Sequence, residues 1–215
     1  MDNLQPESRN SSRQGRIALI IVLSALVTDQ IIKILVKTSM SLGETIDITS
    51  WFKLFFVENN GMAFGMEIIG KLFLSLFRIG AIGLFTWYVI KILNKGFPTG
   101  YIVTISFILA GAMGNLFDCL FYGLIFTEST PFNVATTASL GDGYAPFLYG
   151  KVVDMFYFPL WTWPDWMPLI GGDIFFSPVF NFADSCITCG VAVVLLFYTK
   201  YVNMGLHYKN PDEED

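Results

Sequence analysis

Charge is scarce in this chain. Only 14% of its 215 residues are Asp, Glu, Lys or Arg, while 53% are hydrophobic; a soluble domain carries about 25% charge. The composition therefore describes an integral membrane protein of one compact domain. Histidine is nearly absent: the one copy, His207, falls in the polar tail. That removes histidine-based nucleophile schemes and a His/Cys zinc site, so no metal and no cofactor is expected. Three cysteines, Cys119, Cys186 and Cys189, are too few for a disulfide framework. No basic stripe offers a surface to nucleic acid. No cysteine near the N-terminus invites lipidation, and no small-x-small cleavage site follows the first apolar run, which reads as a retained helix.

What is present is long apolar sequence. Crossing the hydrocarbon core takes about 20 helical residues, and four stretches suffice: about 17–36, 68–93, 101–122 and 179–201. Lys71 and Arg78 interrupt the second. Arg9, Arg13 and Arg16 precede the first span, Lys91 and Lys95 lie near the turn after the second, and Lys200 and Lys209 sit at or beyond the end of the fourth. With four spans these clusters share a side, which places both termini in the cytoplasm. The loops at about 37–67 and 123–178 then lie outside. The first holds β-branched and aromatic runs suited to a small sheet. The second is long, proline-punctuated and rich in aromatics, among them Trp161, Trp163 and Trp166; it suits a cap resting on the outer leaflet. The expected fold is thus a membrane all-α protein with a small β element.

Two short strings carry the chemistry. Asn115-Leu116-Phe117-Asp118 ends the third span, and Asn181-Phe182-Ala183-Asp184 begins the fourth. Three residues apart on a helix is one face, and an acid at a helix centre in a membrane costs about 2.5–3.5 kcal/mol on insertion scales. With the third span running outward and the fourth inward, Asp118 and Asp184 arrive at one depth near the outer boundary. Paired carboxylates share a proton. The ionised acid can deprotonate water while the protonated one hydrogen-bonds a scissile carbonyl, which hydrolyses an amide without a covalent intermediate. The helix dipole favours negative charge at Asp184 over Asp118, so Asp184 is the expected base and Asp118 the proton holder. Asp29 and Lys33 form an i, i+4 pair in the first span. A rival is a membrane thiol oxidoreductase using Cys186-x-x-Cys189, though that pair falls inside a span. A transporter or channel subunit would place acids at several depths, and they do not occur so.

Five strings, in order, resemble those of signal peptidase II, the lipoprotein signal peptidase. They are Asp29 and Lys33; Asn59, Gly61, Ala63 and Phe64; Gly111, Gly114, Asn115 and Asp118; Val152-Val153-Asp154; and Asn181, Ala183 and Asp184. The resemblance covers roughly residues 17–201. It implies an aspartic endopeptidase of the bacterial inner membrane with its site at the outer-leaflet face, Asp118 and Asp184 being catalytic. Asn59, Gly61, Ala63, Phe64, Asn115, Asn181, Ala183, Asp29, Lys33 and Asp154 would bind substrate or organise the site. Its partners would be diacylglyceryl-modified prolipoproteins, cut before the lipidated cysteine, with membrane lipids and globomycin-type inhibitors. A monomer is expected. Two features depart from the family: Cys119 stands where an arginine is common, and the second outer loop is enlarged.

Overall fold

The structure is a computed structural model that describes residues 11–60 and 67–207, with 67–69 and 206–207 as backbone only. Four helices are long and apolar enough to cross a membrane: Ser11–Ser39, Gly70–Asn94, Thr99–Ile125 and Phe182–Gly205. They are built from α1 (Ser11–Ser39), α2 (Glu67–Asn94), α3 (Thr99–Phe117) with a π-helical turn (Asp118–Tyr122) and α4 (Gly123–Ile125), and α5 (Phe182–Val193) with a second π turn (Val194–Tyr198) and α6 (Thr199–His207). The chain is a multi-pass membrane protein. The fourth span begins three residues later than its hydropathy suggests. Val179–Phe180 is a strand, because its backbone pairs with another strand before the helix starts.

Backbone contacts divide the chain into two compact units. One comprises the residues through Val27, Arg78–Met113 and those from Ala183 onward. Its core joins Ala18, Val89, Ile92, Phe97, Tyr101, Ile102, Ile105, Ile108 and Leu109. The α2–α3 turn closes with Gly96 at φ 65°; its N–H donates to Leu93 O and that of Phe97 to Ile92 O. This is a Schellman ending, which satisfies carbonyls a helix end would orphan. Gln14 Nε2 donates to Phe97 O at 2.9 Å. Glycines set the α3–α5 approach. A Cβ at Gly111 would meet the Ala183 carbonyl and Ile187, and one at Gly190 would meet Ile108. Close backbone approach of this kind is what small residues permit in membrane helices.

The other unit comprises Thr28–Phe77 and Gly114–Phe182. It holds an antiparallel sheet of order β1-β2-β3-β6: β1 is Thr45–Asp47, β2 Lys53–Asn59, β3 Val152–Tyr157 and β6 Val179–Phe180. A separate pair joins β4 (Trp161–Thr162) to β5 (Ile174–Phe175). Side chains alternate across a strand, so Val153 and Met155 turn one way, into a core with Val36, Phe56, Tyr122 and Phe126. Asp154, between them, turns to the opposite face, at a register position facing Val57.

The enlarged loop folds back on the π turn. Gly150 N–H donates to Cys119 O at 2.9 Å, Ala145 N–H to Gly123 O at 3.0 Å and Tyr144 N–H to Phe126 O at 3.1 Å. A Cβ at Gly150 would run into the Asp118 carbonyl, so only glycine lets the chain pass this close. A π turn exposes carbonyls that an α-helix would use itself, and such turns are frequent at functional sites.

Candidate active site

The second unit gathers most of the expected site residues into one buried polar network. Lys33 is its hub. Its ammonium lies 2.8 Å from Asp118 Oδ2 and 3.0 Å from Asp29 Oδ2, and it donates to Asn115 Oδ1 at 2.8 Å. The i, i+4 spacing of Asp29 and Lys33 on α1 delivers that pair, and all three ionic side chains are 98–100% buried. Asp118 is fully engaged. Gln30 Nε2 donates to its Oδ1 at 2.9 Å, and the Val153 N–H to its Oδ2 at 3.3 Å beside the ammonium.

Asp154 is held differently. Asn181 Nδ2 donates to its Oδ1 at 2.6 Å and Asn59 Nδ2 to its Oδ2 at 3.3 Å. Asn181 also donates to Asn115 Oδ1 at 3.0 Å. Neutral amides from the end of β2 and from the fourth-span string thus converge on Asp154, whereas Asp118 joins the first-span pair. The sheet explains the geometry: Asn59 ends β2 and pairs with Val152, which brings its amide to β3.

Asp184 sits in the first turn of α5, partly exposed, and Ala183 before it is buried against Gly111. Both belong to the other compact unit. Gly61, Ala63 and Phe64 lie outside the described residues. Gln30 and Tyr122 went unnoticed in the sequence. Tyr122 OH donates to Gln30 Oε1 at 3.0 Å, which fixes the amide so that its nitrogen faces Asp29 and Asp118. A glutamine beside an acid in an apolar helix was the available signal. Also unforeseen is a second ionic cluster. Lys37 bonds Glu58 and Ser129 Oγ, Ser129 donates to Glu58 at 2.8 Å, and Lys151 lies 3.3 Å from Glu58. The Lys37 ammonium stands 4.9 Å from the Tyr144 ring centre. This cluster pins the enlarged loop to β2 next to Asn59.

The family model for signal peptidase (SPase) II matches residues 21–200. The chain belongs to that family. Lipoprotein signal peptidase of Porphyromonas gingivalis is 45% identical over 201 residues, covering 91% of this chain and 88% of the relative. That of Amoebophilus asiaticus is 35% identical over 186 residues, covering 82% and 75%. The fold is similar to that of a bacterial membrane enzyme solved by the in meso method, with a TM-score of 0.56, 22% identity and coverage of 90% of this chain and 93% of that one. Membership of the signal peptidase II family makes the chain a protease. The thiol oxidoreductase reading has no support: Cys186 is buried and Cys189 exposed on α5, and no disulfide joins them.

Proposed function

We propose that this signal peptidase II is an aspartic endopeptidase that removes signal peptides from diacylglyceryl-modified prolipoproteins before the lipidated cysteine, and that Asp154 and Asp184 are its acid pair. The observation that carries the pairing is the spending of Asp118 in an ion pair. An acid locked to an ammonium at 2.8 Å, with two further donors on its oxygens, would have to break those bonds to take a proton from water. Spacing alone favoured Asp118; the Lys33 contact moves the proposal to Asp154. Asp184 follows Asn181 by three residues, and Asn181 is the amide that holds Asp154. Asp118 with Asp29 and Lys33 then organises the site and does no proton chemistry.

In the reaction the ionised acid removes a proton from water as its oxygen attacks the scissile carbonyl carbon. The protonated acid hydrogen-bonds the carbonyl oxygen and stabilises the charge that develops there. The tetrahedral intermediate collapses when the leaving nitrogen takes the proton that the first acid removed from water, freeing the signal peptide's carboxyl and the amine of the lipid-bearing cysteine and restoring the starting pair. Asn59 and Asn181 fix the Asp154 carboxylate, and Gly61, Ala63 and Phe64 are assigned to substrate binding on the strength of their sequence string. The Lys and Arg pattern supports an orientation with both termini in the cytoplasm, and the proposal takes the site to be at the outer-leaflet face of a bacterial inner membrane. The enzyme acts as a monomer, with globomycin-type peptides as inhibitors.

The purified chain, given a diacylglyceryl-modified precursor and the same precursor unmodified, tests this by a size shift on a gel. Only the modified form should be cut, and a globomycin-type peptide should stop it. Equal cleavage of both forms, or of neither, would overturn the substrate assignment.

A further inference from the structure

Between β4 and β5 the chain makes a narrow finger whose purpose the proteolytic site does not explain. Its neck is stiff. Trp161 stacks on Phe175 with ring centres 3.8 Å apart and planes 6° from parallel, and Trp163 meets both rings edge-on. Its tip is closed by its own backbone. Trp163 N–H donates to Asp173 O, Gly172 to Trp163, Asp173 to Ile170, Gly171 to Met167 and Met167 to Pro164. Pro164 and Pro168 have no N–H to satisfy.

On this closed tip the apolar side chains point out. Leu169 is 101% exposed and Trp166 79%. Leu169 is also held at φ 74°, a conformation that residues other than Gly, Asn and Asp rarely visit. A strained backbone that displays a bare leucine is not explained by packing within the chain. The stretch from 152 to 199 contains no Lys or Arg, so nothing on the finger addresses phosphate or an acidic partner. The finger's base also leads directly into a membrane span: Phe176, itself 44% exposed, lies six residues before the start of α5. On that span Leu195, Leu196 and Phe197 present 63–73% of their surface outward.

The geometry points to insertion of the finger tip, Trp166 with Leu169, into the headgroup and upper acyl region of the bilayer. Internal backbone hydrogen bonding is the condition for entering lipid, and half of the N–H groups from Asp165 to Asp173 meet it here. Among the described residues the N–H groups of Asp165, Trp166, Leu169 and Ile170 have no backbone acceptor, which suits the interface better than the hydrocarbon centre. Trp beside Leu, Ile and Met is the composition that interface favours. The finger anchors the enlarged loop from the lipid side, independently of what the enzyme cuts.

The test uses full-length protein carrying Leu169→Cys with Cys189→Ser, labelled with an environment-sensitive fluorophore and reconstituted in phosphatidylcholine vesicles. Doxyl-labelled lipid should quench most of the emission and aqueous iodide little. Quenching by iodide would place the tip in water and overturn the inference. Protection from both quenchers would mean that protein covers it, which overturns the inference equally. A label-free check needs no change at Leu169: brominated lipid should quench the wild type more than Trp166→Phe, and equal quenching would contradict insertion.

Discussion

Replacing Lys33 with methionine should unfold this enzyme more readily than any other single charge removal in the second unit. The ammonium is wholly buried and lies 3.0 Å and 2.8 Å from two buried carboxylates. Methionine keeps much of the side chain's length and apolar bulk but leaves Asp29 and Asp118 side by side without their cation. Removing one partner of a buried ion pair costs about 3–5 kcal/mol, and here two acids are stranded. For a chain of this size each kcal/mol lowers Tm by about 2–4 °C, so the fall should be roughly 6–20 °C. Thermal unfolding in detergent, followed by tryptophan emission, measures it. The control is Lys53→Met, whose partner Asp47 is 68% exposed; surface pairs are worth less than about 1 kcal/mol. Adding Asp118→Asn to Lys33→Met should restore part of the lost Tm, since one stranded charge disappears. If Lys33→Met melts no lower than Lys53→Met, or if the double variant is worse than the single one, the ion-pair reasoning is wrong.

Other consequences follow from the same structure. Gly150→Ala should cost about 1–3 kcal/mol, because its Cβ meets backbone that cannot swing aside, and cleavage should fall with stability; unchanged melting and turnover would contradict the tight passage. Burial pushes the Tyr144 phenol above an ordinary tyrosine, against a hydrogen bond from the Lys151 N–H that opposes the shift. Its contribution is therefore complete below the unfolded value of about 10 and lost as pH rises beyond it. Tyr144→Phe should flatten that alkaline loss of Tm, and an unaltered pH profile would refute the assignment. Alanine at both Cys186 and Cys189 should leave precursor cleavage intact; abolished cleavage would revive a thiol mechanism.

The spans were legible because their apolar length has one physical reading. Their ends were less so: Val179 and Phe180 are as apolar as the helix that follows, and only the hydrogen bonds of β6 separate them from it. The site was legible as a set of residue types. The first-span pair, Asn59, Asn115 and Asn181 all meet within one network. Partnership inside that set was not legible. Asp118 and Asp184 look equivalent in their Asn-x-x-Asp strings, because spacing says nothing about a lysine that folds in from 85 residues earlier. Asp154 was legible only as the end of the Val152-Val153-Asp154 string, since alternation along the strand had to be known before its face could be assigned. The Lys37–Glu58–Ser129 cluster escaped notice since its members are ordinary loop and helix-end residues until the fold joins them.

The most direct measurement of the acid pairing is turnover of a diacylglyceryl-modified precursor by Asp118→Asn, Asp154→Asn and Asp184→Asn, each checked for native melting. The account predicts no mature product from the Asp154 and Asp184 variants and measurable product from Asp118→Asn. An Asp154→Asn enzyme that still cleaves, beside a folded Asp118→Asn enzyme that does not, would contradict it.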